Sequence, residues 1–140
     1  MKVKEIMSKK VQWVSPDASL EKVAKLMNEF DIGSVPVCQD SNVLGLITDR
    51  DIVIRTVAEG KNPITVKAKD VMSTNVLKVS PDTDAHDAAD KMAEHQIRRL
   101  PVVENGKLVG MLALGDLAIE SIHIDEAGEA LNDISQGIYH

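Results

Sequence analysis

Lys4-Glu5-Ile6-Met7-Ser8 returns further along the chain as Lys69-Asp70-Val71-Met72-Ser73. Working outward, Val14-Ser15-Pro16-Asp17 returns as Val79-Ser80-Pro81-Asp82, Pro36-Val37 as Pro101-Val102, Gly45 as Gly110 and Asp51 as Asp116. Every pair is separated by 65 positions, so the chain of 140 residues is an internal duplication that needs no gap. The first copy covers residues 1–60, residues 61–66 with Pro63 form a linker, and the second copy covers 67–122. Residues 123–140 are a tail with no counterpart. Its Ala127, Ala130, Leu131 and Ile134 make one helical stripe before a stop at Gly137. That stripe suits docking on its own module or on a second copy.

Each copy carries the same pattern of elements. Pro16-Asp17 and Pro81-Asp82 read as helix starts, because proline fits the first turn and aspartate suits the positive helix end. Leu20, Val23, Ala24 and Met27, and their counterparts Ala85, Ala88, Ala89 and Met92, form apolar stripes at helical spacing. Two short apolar runs follow, Ser34–Cys38 and Val43–Ile47, matched by Leu100–Val103 and Leu108–Leu112. Asn105-Gly106 between the second pair is a hairpin signal, since both residues accept positive φ. A second helix is expected from Asp49 to Glu59 and from Gly115 to Ile122. The fold class is therefore α+β, mixed α/β: two β-α-β-β-α repeats packed with approximate twofold symmetry. Neither half is large enough to bury its own sheet face, which predicts one shared core.

Composition removes several functions. Aromatics are 2% of the residues, Trp13, Phe30 and Tyr139, so no platform exists for stacking bases, and a net charge of −6 opposes general nucleic-acid binding. Cys38 is the single cysteine, which excludes an internal disulfide and suits a reducing, cytoplasmic setting. Neither a leader nor a membrane span is legible in the chain. His86, His95, His123 and His140 lack metal-ligand spacing, and Asp82, Asp84, Asp87 and Asp90 lack the glycine and closing glutamate of a calcium loop, so no metal site is expected. Cys38 reads as a core residue, and Met7, Met27, Met72 and Met92 as filler. No triad, carboxylate pair or P-loop appears, which predicts a protein that is not an enzyme.

The repeat resembles a CBS domain, and the tandem resembles a CBS pair, or Bateman module, of the small stand-alone bacterial kind. The residues that carry this are Ile32-Gly33-Ser34-Val35-Pro36-Val37 with Gly45-Leu46-Ile47-Thr48-Asp49-Arg50-Asp51. In the second copy they are Ile97-Arg98-Arg99-Leu100-Pro101-Val102 with Gly110-Met111-Leu112-Ala113-Leu114-Gly115-Asp116. The resemblance implies regulatory binding of an adenine nucleotide (AMP, ADP or ATP), or of S-adenosylmethionine, in clefts between copies. No other cofactor is required. It also implies homodimers of modules, and signalling to an effector protein that the sequence does not name.

Thr48 and Asp51 stand three apart where a strand meets a helix. One reading has Asp51 accept the ribose hydroxyls while Thr48 and free N–H groups of the helix start face the phosphates. The other is a capping box, Thr48 and Asp51 bonding each other's backbone; the family pattern favours binding. All four arginines, Arg50, Arg55, Arg98 and Arg99, lie in motif neighbourhoods, and the planar guanidinium suits phosphate. Arg55 reads as a solvated helix residue. By the family pattern, a stronger site A combines Thr48, Arg50 and Asp51 with Ile97, Arg98, Arg99 and the strand at Val76 and Leu77, whose backbone reads the adenine edge. A weaker site B combines Asp116 with Ile32, Gly33, Ser34, Val11 and Gln12. There Ala113 replaces the threonine, and no arginine occupies positions 33 and 34. Rival readings are an interaction module without a small-molecule ligand, and an NAD binder.

Overall fold

A computed structural model describes residues 1–119, 128–131 and 133–134. The chain forms two compact units that do not coincide with the sequence copies: Gln12–Val76, and Met1–Val11 together with Leu77–His140. Each unit incorporates the opening segment of the other copy.

In the unit Gln12–Val76, helix α1 spans Leu20–Phe30 and buries Leu20, Val23 and Met27. Ser19, not Pro16-Asp17, starts it: the Ser19 hydroxyl accepts the Lys22 N–H at 3.2 Å. Pro16-Asp17 lies in a turn closed from Ala18 N–H to Ser15 C=O at 3.1 Å. The Asp17 carboxylate is committed elsewhere, to the ammonium groups of Lys69 at 3.2 Å and Lys67 at 3.6 Å. The hydrogen bond and charge of Lys69, then the charge of Lys67, hold it below the usual aspartate range. Asp31 ends the helix in the left-handed region at φ 52°.

Strands β1 (Ser34–Gln39) and β2 (Asn42–Thr48) form an antiparallel hairpin. Asp40 and Ser41 both take positive φ at the turn, 53° and 68°. Val37 opposes Gly45 and Cys38 opposes Val43, so Leu44 is a bulge and points outward. The expected first strand shrinks to one residue, Val14, in a parallel bridge to Val37. The expected helix from Asp49 also differs. Helix α2 covers Asp49–Ile52, then widens into a π turn over Val53–Val57, with Ala58 N–H bonded to Val53 C=O at 2.9 Å. Helix α3 (Ala68–Val71) closes the unit, and Ser73 after it exchanges two backbone bonds with Leu46 of β2, at 2.9 and 3.0 Å.

The other unit repeats this plan. Helix α4 (Ala85–His95) is capped by Asp84, which accepts the His86 N–H at 2.8 Å. Strands β3 (Arg99–Glu104) and β4 (Lys107–Ala113) are joined by Asn105-Gly106 at φ 52° and 80°, as the sequence predicts, and the bulge recurs at Val109. Helix α5 covers Leu114–Ile119. The role of α3 falls to Met1–Ser8: Val3 and Lys4 N–H groups bond the Thr83 and Pro81 carbonyls at 2.9 Å, and Ser8 pairs with Met111 of β4. Lys4 and Lys2 pair with Asp82, lowering its pKa as Lys69 and Lys67 lower that of Asp17.

The expectation of one shared core is corrected, because each unit has its own. Leu20, Val23, Val35, Val37, Ile47, Ala68 and Val71 pack in one; Val3, Met92, Leu100, Val102, Leu112 and Leu117 pack in the other. The borrowed segment supplies the missing apolar surface, Ala68 and Val71 in one case and Val3 in the other. Ala130 and Ile134 of the tail join the second core, while Leu131 is exposed. The tail thus docks on its own module through these residues; Ala127, Gly137, His123 and His140 lie outside the described residues.

Candidate ligand site

Within Gln12–Val76, the start of β1 and the end of β2 bring Gly33 and Ser34 beside Thr48 and Asp49, with Ser34 directly opposite Thr48. Asp49 N–H bonds Gly33 C=O at 3.0 Å, and a Cβ added to Gly33 would sit 3.4 Å from the Asp49 carboxylate. Residues that the family pattern divides between sites A and B are therefore neighbours within this unit.

Thr48 and Asp51 form the capping box: Asp51 N–H donates to Thr48 Oγ1 at 3.1 Å, and Thr48 N–H donates to Asp51 Oδ2 at 2.9 Å. Arg50 N–H is taken by its neighbour's Asp49 Oδ1 at 2.9 Å. The N–H groups of residues 49, 50 and 51 are thus all engaged, and the expectation of free donors at this helix start does not hold. What remains open is side-chain chemistry. Asp51 is half-buried and its Oδ1 accepts no hydrogen bond from the described residues, while the Arg50 guanidinium is exposed and unpaired among them. An acceptor next in sequence to an arginine with no ion-pair partner among the described residues suits a ligand with vicinal hydroxyls and an anionic group.

In the other unit, Asp116 Oδ2 accepts the Ala113 N–H at 2.8 Å. Ala113 has no hydroxyl to return the bond, so only half the box exists. Leu114 N–H bonds Arg98 C=O at 2.8 Å, the counterpart of the bond between Asp49 and Gly33. Arg98 is exposed, Arg99 and Ile97 are half-buried, and neither guanidinium has a partner among the described residues. The remaining candidates are half-buried: Val11 and Leu77 belong to this unit, while Gln12, Ile32 and Val76 belong to the other.

Arg55 is not a merely solvated residue. Its Nη1 donates to the Val71 carbonyl at 2.9 Å, closing the C-terminal end of α3. The repeat offers no signal for this bond, because the position 65 residues on is Glu120 and most paired positions of the two copies differ. Two buried hydroxyls, Ser34 Oγ and Thr56 Oγ1, have no partner among the described residues. Among the described residues no group of three or more His, Cys, Asp or Glu side chains gathers to hold a metal ion, and no helix is long and apolar enough to cross a membrane.

Comparison with known proteins matches the CBS domain family at residues 3–57 and 68–123. The chain is 41% identical over 138 residues to the CBS domain-containing protein YhcV of Bacillus subtilis, covering 99% of this chain and 98% of that one. The crystal structure of Hypoxic Response Protein I with two coordinated zinc ions aligns with a TM-score of 0.80 and 34% identity, over 86% of this chain and 98% of that one. The CBS domain pair of protein MJ0100, in complex with 5′-methylthioadenosine and S-adenosyl-L-methionine, aligns at 0.76 and 26% identity, over 85% and 94%.

Proposed function

From the premise that the chain belongs to the CBS domain family and carries two copies of the domain, we propose that it is a non-enzymatic regulatory module that binds an adenosyl compound, an adenine nucleotide, and signals its occupancy to a partner protein. The observation that carries this reading is the corner at Thr48–Asp51, where a carboxylate oxygen and the neighbouring Arg50 guanidinium both lack a partner among the described residues, in a protein of net charge −6. Arg50 meets phosphate, and Asp51 Oδ1 accepts the ribose hydroxyls. Support also comes from the MJ0100 pair, whose two named ligands share the adenosine group. With almost no aromatic side chains, adenine is held by aliphatic side chains and backbone edges. Occupancy acts by differential affinity for two states of the module, and two copies associate as a homodimer.

A second reading, an interaction module with no small-molecule ligand, is favoured by the exposed apolar side chains Val53, Ile54 and Val57 on the π turn. A thermal-shift panel of AMP, ADP, ATP, S-adenosylmethionine and NAD separates the two. A ligand at 100 times its Kd adds about 2.7 kcal/mol; no shift with any member overturns the nucleotide reading. Sedimentation at micromolar concentration reads the dimer as a mass of two chains.

A further inference from the structure

Two parts of the proposed site lie in one unit but far apart in sequence: the carboxylate of Asp51 on α2, and the backbone at Val76 beyond α3. The π turn that follows α2 carries Arg55 to the end of α3, where its guanidinium bonds the Val71 carbonyl at 2.9 Å. Met72 lies against Gly45, and Ser73 is bonded twice to Leu46. The segment leading to Val76 is therefore tied both to β2 and to Arg55. Among these ties only Arg55 comes from the helical segment that bears Asp51.

We infer that Arg55 is a positioning residue that sets the spacing between the ribose-side carboxylate of Asp51 and the adenine-side backbone at Val76. This rests on the adenosyl reading and deepens it. A ligand that spans both parts needs the spacing; one that reaches only the ribose side does not. Arg55 touches no ligand itself. Its guanidinium is spent on a carbonyl, and the position 65 residues on holds Glu120, a residue type with no guanidinium to donate.

The test compares AMP with ribose 5-phosphate, by calorimetry on the full-length parent and the Arg55→Gln and Arg55→Lys variants. Loss of a charge-assisted bond weakens AMP binding about tenfold in Arg55→Gln. Ribose 5-phosphate affinity stays at the parent value, Arg55→Lys recovers part of the loss, and amide exchange over residues 72–76 of the ligand-free variant speeds up. Unchanged AMP affinity in Arg55→Gln, or equal losses for AMP and ribose 5-phosphate, overturns the inference while leaving the adenosyl reading standing. A parent that binds no adenosyl compound overturns both.

Discussion

Asp51 and Asp116 occupy matched positions, yet the helix starts that bear them differ by one hydroxyl and one guanidinium, and the strand entries opposite hold Gly33 and Ser34 in one unit and Arg98 and Arg99 in the other. Thr48 returns the bond that Asp51 accepts and Arg50 stands between them, whereas Ala113 and Gly115 hold the matching places beside Asp116. Removing Asp51 Oδ1 takes away a charge-assisted acceptor, so Asp51→Ala costs about 2–3 kcal/mol of adenosyl affinity, roughly 30- to 150-fold. Asp116→Ala costs less. Titrating both variants with AMP and ATP checks the asymmetry, and equal losses count against it. Gly45 makes a packing argument at the same scale. An added Cβ would lie 2.6 Å from Met72 Sδ and 2.8 Å from the Ser73 carbonyl oxygen. The sulfur can move, but the carbonyl is tied to Leu46, so Gly45→Ala destabilises by about 1–3 kcal/mol in urea titration. Gly110, against Met7 Sδ at 2.6 Å and the Ser8 carbonyl at 2.9 Å, behaves alike.

At the scale of elements, the short segments α3 and Met1–Ser8 dock through buried side chains, backbone bonds and surface charge. Asp17 and Asp82, each facing two lysines, have lowered pKa values because those ammonium groups favour the carboxylate. A carboxylate with a folded pKa below its unfolded one stabilises fully above the unfolded value, about 3.9 for aspartate. That contribution is lost as pH falls through the lowered folded value. The melting temperature of the parent therefore falls more steeply below about pH 4 than that of an Asp17→Asn, Asp82→Asn double variant. The two curves converge once both carboxylates are protonated. Both groups are exposed, so the difference at neutral pH is small and fades in high salt. Curves that remain parallel through the acid limb exclude the ion pairs as the cause.

At the scale of the whole molecule, each compact unit depends on a segment encoded in the other copy. Val3 is fully buried in the core with Leu100 and Leu117, worth about 1.5–3 kcal/mol. Deleting Met1–Ser8 also removes the bonds to Thr83, Pro81 and Met111. That deletion loosens α4 and the β3–β4 hairpin, 65 residues and more away in sequence, while α1 and the β1–β2 hairpin keep their protection. Hydrogen exchange reads this directly. Loss confined to Leu20–Gln39 would mean that the segment closes its own copy.

The sequence by itself determined the duplication, the helical stripes, the Asn105-Gly106 hairpin and the Thr48–Asp51 corner, because each is written in short-range spacing. It misplaced the helix starts, since Ser19 and Asp84 outcompete the proline turns once Asp17 and Asp82 are drawn to lysines. It also left the N–H groups at residues 49–51 free, although Gly33, Asp49 and Thr48 oxygens fill them. Which copy each Met-Ser block closes was decided only by tertiary structure. Met7 and Met72 offer the same surface to Gly45 and to Gly110, so local chemistry is degenerate between the two pairings. The route of the backbone breaks the tie: Met7 lies on Gly110 and Met72 on Gly45. Arg55 belongs to the same class. Its bond to Val71 spans 16 residues and obeys no period, so it exists only once the chain has folded.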